Sequence, residues 1–150
     1  RHGSPYLTED GRFAAEDGPM TTNPTDATRP TVTTATLLGV TIDCAEPRRL
    51  AEFYATILGY EITHAADEYA AIGDGVHTLY FVRVPERAPA PWPGPGKQFH
   101  LDLRVPDVPK AVADYLALGA TRPDFQPGGE RWTVLADPEG HLFCVTPQPS

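Results

Sequence analysis

Val40-Thr-Ile-Asp-Cys44 and Leu101-Asp-Leu-Arg-Val105 decide the fold. In each, apolar and polar side chains alternate over five residues, the pattern of a strand with one buried face. The two stretches lie 61 positions apart, and their correspondence runs past the strands. Glu46 falls on Asp107 and Tyr54 on Tyr115; one residue of slip then places Leu58-Gly59 on Leu118-Gly119. The chain is a tandem repeat. Each half reads strand, acidic turn, helix, Leu-Gly stop.

The first helix carries Leu50, Phe53, Tyr54, Ile57 and Leu58, one apolar stripe at helical spacing. Pro47 suits its first position and Gly59 the position past its end. The second helix carries Val108, Val112, Tyr115 and Leu116, with Pro109 early and Gly119 after. Short strands are predicted after each helix. They span roughly 60–64, 69–72 and 78–84 in the first half, and 121–123, 131–136 and 141–146 in the second. Gly73-Asp-Gly75, Pro127-Gly-Gly129 and Asp137-Pro-Glu-Gly140 read as turns. The fold class is α+β, two tandem β-α-β-β-β modules. One helix covers only one face of its sheet, so the modules are expected to form a curved mixed sheet around a cup, a concave site.

Module one spans 37–84, a Pro-rich linker 85–97 and module two 98–147, together one domain over 37–147. Residues 1–36 lack hydrophobic periodicity and are expected to be a flexible leader or tail. The stretch 1–19, ahead of the only methionine, Met20, reads as vector-derived. Of 17 prolines, five fall in residues 85–95, which excludes helix and central strand there.

The chain has 150 residues, enough for one hydrophobic core. Its formal net charge is −8 and it has no Lys/Arg cluster, which argues against a nucleic-acid partner. No apolar run approaches the roughly 20 residues of a membrane span. Cys44 and Cys144 form no Cys-x-x-Cys and read as reduced thiols of a cytoplasmic protein.

Four stretches carry a resemblance. They are Gly39-Val-Thr-Ile-Asp-Cys-Ala-Glu-Pro47, Phe53-Tyr-Ala-Thr-Ile-Leu-Gly-Tyr60, Phe99-His-Leu-Asp-Leu-Arg-Val-Pro-Asp107 and Trp132-Thr-Val-Leu-Ala-Asp-Pro-Glu-Gly-His-Leu-Phe-Cys144. The chain resembles the vicinal oxygen chelate superfamily, the fold of glyoxalase I, extradiol dioxygenases, fosfomycin-resistance enzymes and bleomycin-binding proteins, in its glyoxalase-like branch. The resemblance implies a metal site inside the cup with ligands on the first and last strands of each module. Those positions fall on Gly39, on His100, on Cys144, and on Leu79 or Phe81. Only His100 is a usual ligand. The implied metal site is degenerate, no cofactor is expected, and His100 is the ligand if a divalent metal binds.

Strand parity places Gln98, Asp102 and Arg104, Thr41 and Asp43, and Leu142, Cys144 and Thr146 in the cup with His100. His100 and Asp102 are the candidate acid/base pair, with His100 bonded to a strand neighbour as the bland alternative. Asp43 with Asp102 suits a cationic ligand, unless strand-end solvation claims them. Arg104 suits a ligand carboxylate or an ion pair with one of these aspartates. Cys144 is a nucleophile only beside a cation, and otherwise a small buried hydrophobe. Cys44, of opposite parity, is expected under a helix. Tyr80, Phe81 and Trp132 are candidate aromatic walls or core, and Trp92, in the Pro-rich linker, is a candidate wall, a lid over the cup or a bridge to a partner. His64, His77 and His141 lie near turns and are expected to meet solvent.

The ligand-binding set is therefore Thr41, Asp43, Phe81, Arg104, Trp132 and Cys144. The leading reading is a metal-independent small-molecule binder of the drug- or metabolite-resistance kind. The alternatives are a lyase or isomerase acting through His100, and a non-catalytic regulatory module. A homodimer is expected, because edge strands of such modules can pair.

Overall fold

Both repeat strands form, and each opens a module. The computed structural model describes residues 34–149, so the expected leader over 1–19 and most of the tail over 1–36 lie outside the described residues. The elements run β1 (Val40–Cys44), α1 (Pro47–Leu58), β2 (Glu61–Ala65), β3 (Tyr69–Gly73), β4 (Thr78–Arg83), β5 (Leu101–Val105), α2 (Val108–Ala117), β6 (Thr133–Ala136) and β7 (Leu142–Pro147). The first sheet has the order β1-β4-β3-β2 and the second β5-β7-β6. The opening strand of each module pairs in parallel with its last strand, β1 with β4 and β5 with β7. The other pairings are antiparallel. The result is α+β with two modules and open mixed sheets. No described helix is long and apolar enough to cross a membrane.

α1 starts at Pro47 and ends at Gly59, whose φ of 68° is left-handed. Glu46 makes no side-chain cap. A carboxylate from the other module takes that place: Ala45 N–H donates to Glu139 Oε1 at 2.5 Å and Glu46 N–H to Oε2 at 3.1 Å. α2 is capped locally, Asp107 accepting from Lys110 N–H at 2.9 Å. Its stripe is narrower than expected. Ala111, Val112 and Tyr115 are buried, while Leu116 is 40% exposed.

One core serves both modules. α1 lies against β2, β3 and β4, and its Phe53 and Tyr54 rings also meet Phe143 of β7, each at 6.2 Å. Tyr54 stacks on Phe81 at 5.8 Å, and Tyr115 of α2 completes the cluster on Phe143 at 6.3 Å. Cys44 is fully buried in this core, as its parity requires. Phe81 is also fully buried there, so it is a core residue and not the ligand wall expected of it. Its register partner Ile42 faces the same way, and neighbours on a strand point to opposite sides.

The fourth strand of module two is missing. Thr121 makes a single bridge to Ala136. Pro123 has no N–H to donate and ends the pairing. The Gln126 amide finishes the edge instead: Oε1 accepts from Val134 N–H at 2.8 Å and Nε2 donates to Val134 O at 2.9 Å.

The Asp137–Gly140 turn joins the modules. Asp137 is buried and accepts from the Tyr54 hydroxyl at 2.7 Å and from Glu139 N–H at 2.8 Å. His141 Nδ1 lies 2.8 Å from Asp137 Oδ2, and its Nε2 lies 2.7 Å from the Asp43 carbonyl and 3.1 Å from Arg87 Nε. The expectation that His141 meets solvent is corrected: only 22% of its side chain is exposed. Arg87 belongs to the Pro-rich linker, which is docked here through its bonds to Glu139 O.

Candidate functional site

Each sheet has a face that no helix covers, and polar side chains gather on both. On the first sheet, Thr41 pairs with Tyr80 and Asp43 with Val82 across β1 and β4. Tyr80 in turn pairs with Ala71, and Tyr69 with Val82. This face therefore presents Thr41, Asp43, Tyr69 and Tyr80 side by side. The Tyr69 and Tyr80 rings stack at 6.0 Å, and His64 of β2 lies 4.8 Å from Tyr69. The three rings form an open aromatic row. His64 is exposed as expected, yet it belongs to a strand and to this row. The sequence reading missed Tyr69 and His64, whose one signal was their place in strands adjoining Tyr80.

On the second sheet, Asp102 pairs with Cys144 and Arg104 with Thr146. His100, Asp102 and Cys144 meet, their ligand-type atoms all within 4.8 Å of one another. His100 Nε2 lies 3.3 Å from Asp102 Oδ1, with 32% and 59% of the two side chains exposed. Lys97 Nζ lies 3.3 Å from His100 Nδ1. An ammonium only donates, so Nδ1 accepts and the Nε2 proton faces Asp102. Trp132 precedes β6 with the parity of Val134, the partner of Cys144, and carries the Arg131 guanidinium 4.6 Å over its ring. Among the described residues Arg104 makes no ion pair, so the pairing expected with an aspartate is not formed.

The sequence candidates thus fall into two groups, Thr41 with Asp43, and His100, Asp102, Arg104, Trp132 and Cys144, leaving Phe81 in the core. Among the described residues no side-chain hydrogen bond, ion pair or ring contact joins one open face to the other. Trp92, expected at a lid or a partner, donates Nε1–H to Phe125 O at 3.1 Å.

Burial pushes the Cys144 thiol up to about 11; the Asp102 carboxylate adds to this and the Lys97 ammonium opposes it. Burial likewise pushes Cys44 up to about 12, with the Glu139 carboxylate adding to it. Both thiols are free and protonated near neutral pH, so neither is an activated nucleophile.

The residues fit the implied metal poorly. His100, Asp102 and Cys144 supply a donor set from one module only. The position matching the first module's ligand is Gly39, and a Cβ there would lie 2.6 Å from Thr78 O and 2.8 Å from Tyr80 Cε2. Tyr80 occupies the space a ligand side chain needs. Leu79 and Phe81 belong to the core. A groove of about 300 Å³ lies between the start of β1 and β5, lined by Leu37, Leu38, Val40, Leu101 and Asp102 among others.

Comparison with known proteins agrees with this architecture. No curated protein matches the chain. Among solved structures, a glyoxalase/bleomycin resistance protein/dioxygenase family enzyme from Burkholderia phytofirmans PsJN superimposes with a TM-score of 0.55 at 19% identity, covering 71% of this chain and 94% of that one. A glyoxalase-related enzyme from Fulvimarina pelagi gives 0.54 at 21%, covering 77% and 90%. A bleomycin-binding protein complexed with bleomycin gives 0.51 at 21%, covering 77% and 100%. At these identities the likeness shows the fold alone. The profile of the glyoxalase-like domain matches residues 39–146. With two β-α-β modules and that match across most of its length, the chain belongs to the glyoxalase-like domain family of the vicinal oxygen chelate superfamily.

Proposed function

We propose that the protein binds a small molecule on its open sheet faces without a metal ion, as a drug- or metabolite-sequestering protein of a reducing, cytoplasmic compartment. The open row of His64, Tyr69 and Tyr80 beside Asp43 carries this reading. Stacked rings with a free edge suit a planar ligand, and the Asp43 carboxylate with a net charge of −8 suits a cationic one. The complex of the similar bleomycin-binding protein with bleomycin supports the same class of role. We also propose a homodimer. Among the described residues β1 and β5 are unpaired on one side, and Leu37 and Leu38 beside β1 are 84% and 78% exposed. Pairing between copies would set the first open face of one protomer beside the second open face of its partner.

The second reading, a lyase or isomerase, rests on the 3.3 Å contact of His100 with Asp102. It would need turnover that His100→Ala abolishes while ligand affinity stays. The first test is a thermal-shift screen of planar aromatic cations against neutral and anionic analogues, followed by calorimetry on Tyr80→Ala. Binding of cations that weakens about tenfold in Tyr80→Ala, roughly 1.4 kcal/mol, is expected. Binding indifferent to Tyr80, or preference for anions, overturns the reading.

A further inference from the structure

His100, Asp102 and Cys144 are the one group of potential ligand side chains clustered among the described residues, and a cation is already in it. Lys97 Nζ sits 3.3 Å from His100 Nδ1. The lysine is half-buried and held there. Its ammonium lies 5.4 Å over the Trp92 ring, a cation–π contact. Trp92 is in turn pinned by its bond to Phe125 O and by ring contact with Phe125 at 5.7 Å. The cluster therefore already holds one ammonium, against the His100 ring.

We propose that Lys97 is the resident cation of this cluster and keeps divalent metal ions out of it. A metal would need a free imidazole nitrogen, the carboxylate and the thiolate. Lys97 holds Nδ1, and Asp102 faces the Nε2 proton. A dication arriving beside the ammonium is repelled at short range in a partly desolvated place. The poor fit of the family's metal here is thus an arrangement in which a side-chain amine supplies positive charge. Lys97 acts through His100 and is a positioning residue.

The test is titration of Co(II) alone into the wild-type protein, Lys97→Met, Lys97→Gln and Lys97→Arg, read by thiolate-to-cobalt charge-transfer absorption. Two neutral variants guard against one that folds poorly, which circular dichroism reports. Binding at least about tenfold tighter in the neutral variants than in wild type is expected, the loss of one nearby positive charge. Lys97→Arg should stay like wild type, and the new absorption should vanish in Lys97→Met/His100→Ala. Equal affinity in wild type and the neutral variants, or no Co(II) bound by any of them, overturns the proposal. The titration contains no organic ligand, so its failure is separate from a failure of the small-molecule reading.

Discussion

Asp137 shows how much one residue of a turn can hold. Its buried carboxylate takes the Tyr54 hydroxyl of module one and His141 of module two. Burial first, then Asp137, raises the Tyr54 hydroxyl well above its ordinary value, so Tyr54 remains a donor. Tyr54→Phe removes a bond to a charged group and should cost about 1.5–3 kcal/mol, read as a lower urea midpoint with unchanged slope. The cysteines make a second prediction. Their thiols titrate higher in the folded protein than the ordinary 9.0, at about 11 for Cys144 and about 12 for Cys44. Above pH 9 the unfolded chain loses protons that the folded chain keeps. The stabilisation they add is full below pH 9 and falls as pH rises toward 11 and 12. Thermal unfolding should drop over that window, and the drop should shrink in Cys44→Ala relative to its own value at pH 7.

At the scale of elements, a strand edge and a helix start are both finished by side chains from outside the element. Gln126 acts as a one-residue strand on β6, where Pro123 stopped the real one. Gln126→Ala strands the Val134 N–H and carbonyl and should cost about 1–3 kcal/mol, with faster amide exchange at Val134 than elsewhere in β6. A stability loss without that local exchange would place the effect in packing. α1 has no cap of its own at Glu46 because Glu139 reaches across from module two. That bond couples the start of one helix to the position of the other module.

At the scale of the molecule, the same sheets that close the core leave two open faces and, among the described residues, put β1 and β5 at sheet edges. The exposed leucines beside β1 give the edge its apolar flank. Light scattering should report a dimer at micromolar concentrations, and Leu38→Lys should shift it to monomer while leaving the circular dichroism spectrum unchanged. A monomeric wild-type protein would confine any ligand to one open face.

The repeat, the two helices and their stops were legible because they rest on local rules: alternation, helical spacing, proline at a start and glycine at φ 68° past an end. His100, Asp102 and Cys144 were also within reach, since His100 immediately precedes β5, Asp102 lies on it and Cys144 lies on the last strand of the same module. Phe81 and Tyr80 are neighbours and could not both face one side, yet which was buried depended on pairing with β1. The residues that were missed are joined by register or by loops. Tyr69 meets Tyr80 only because β3 runs beside β4, and Lys97 meets His100 across three residues of a loop that carries no periodic pattern. The Asp137 turn looked like a turn and is one, but its bond to Tyr54, and the contact of the adjoining His141 with the Asp43 carbonyl, span the whole domain. Periodicity is written in neighbouring residues, whereas a site assembled across strands and modules depends on distances that only the folded chain defines.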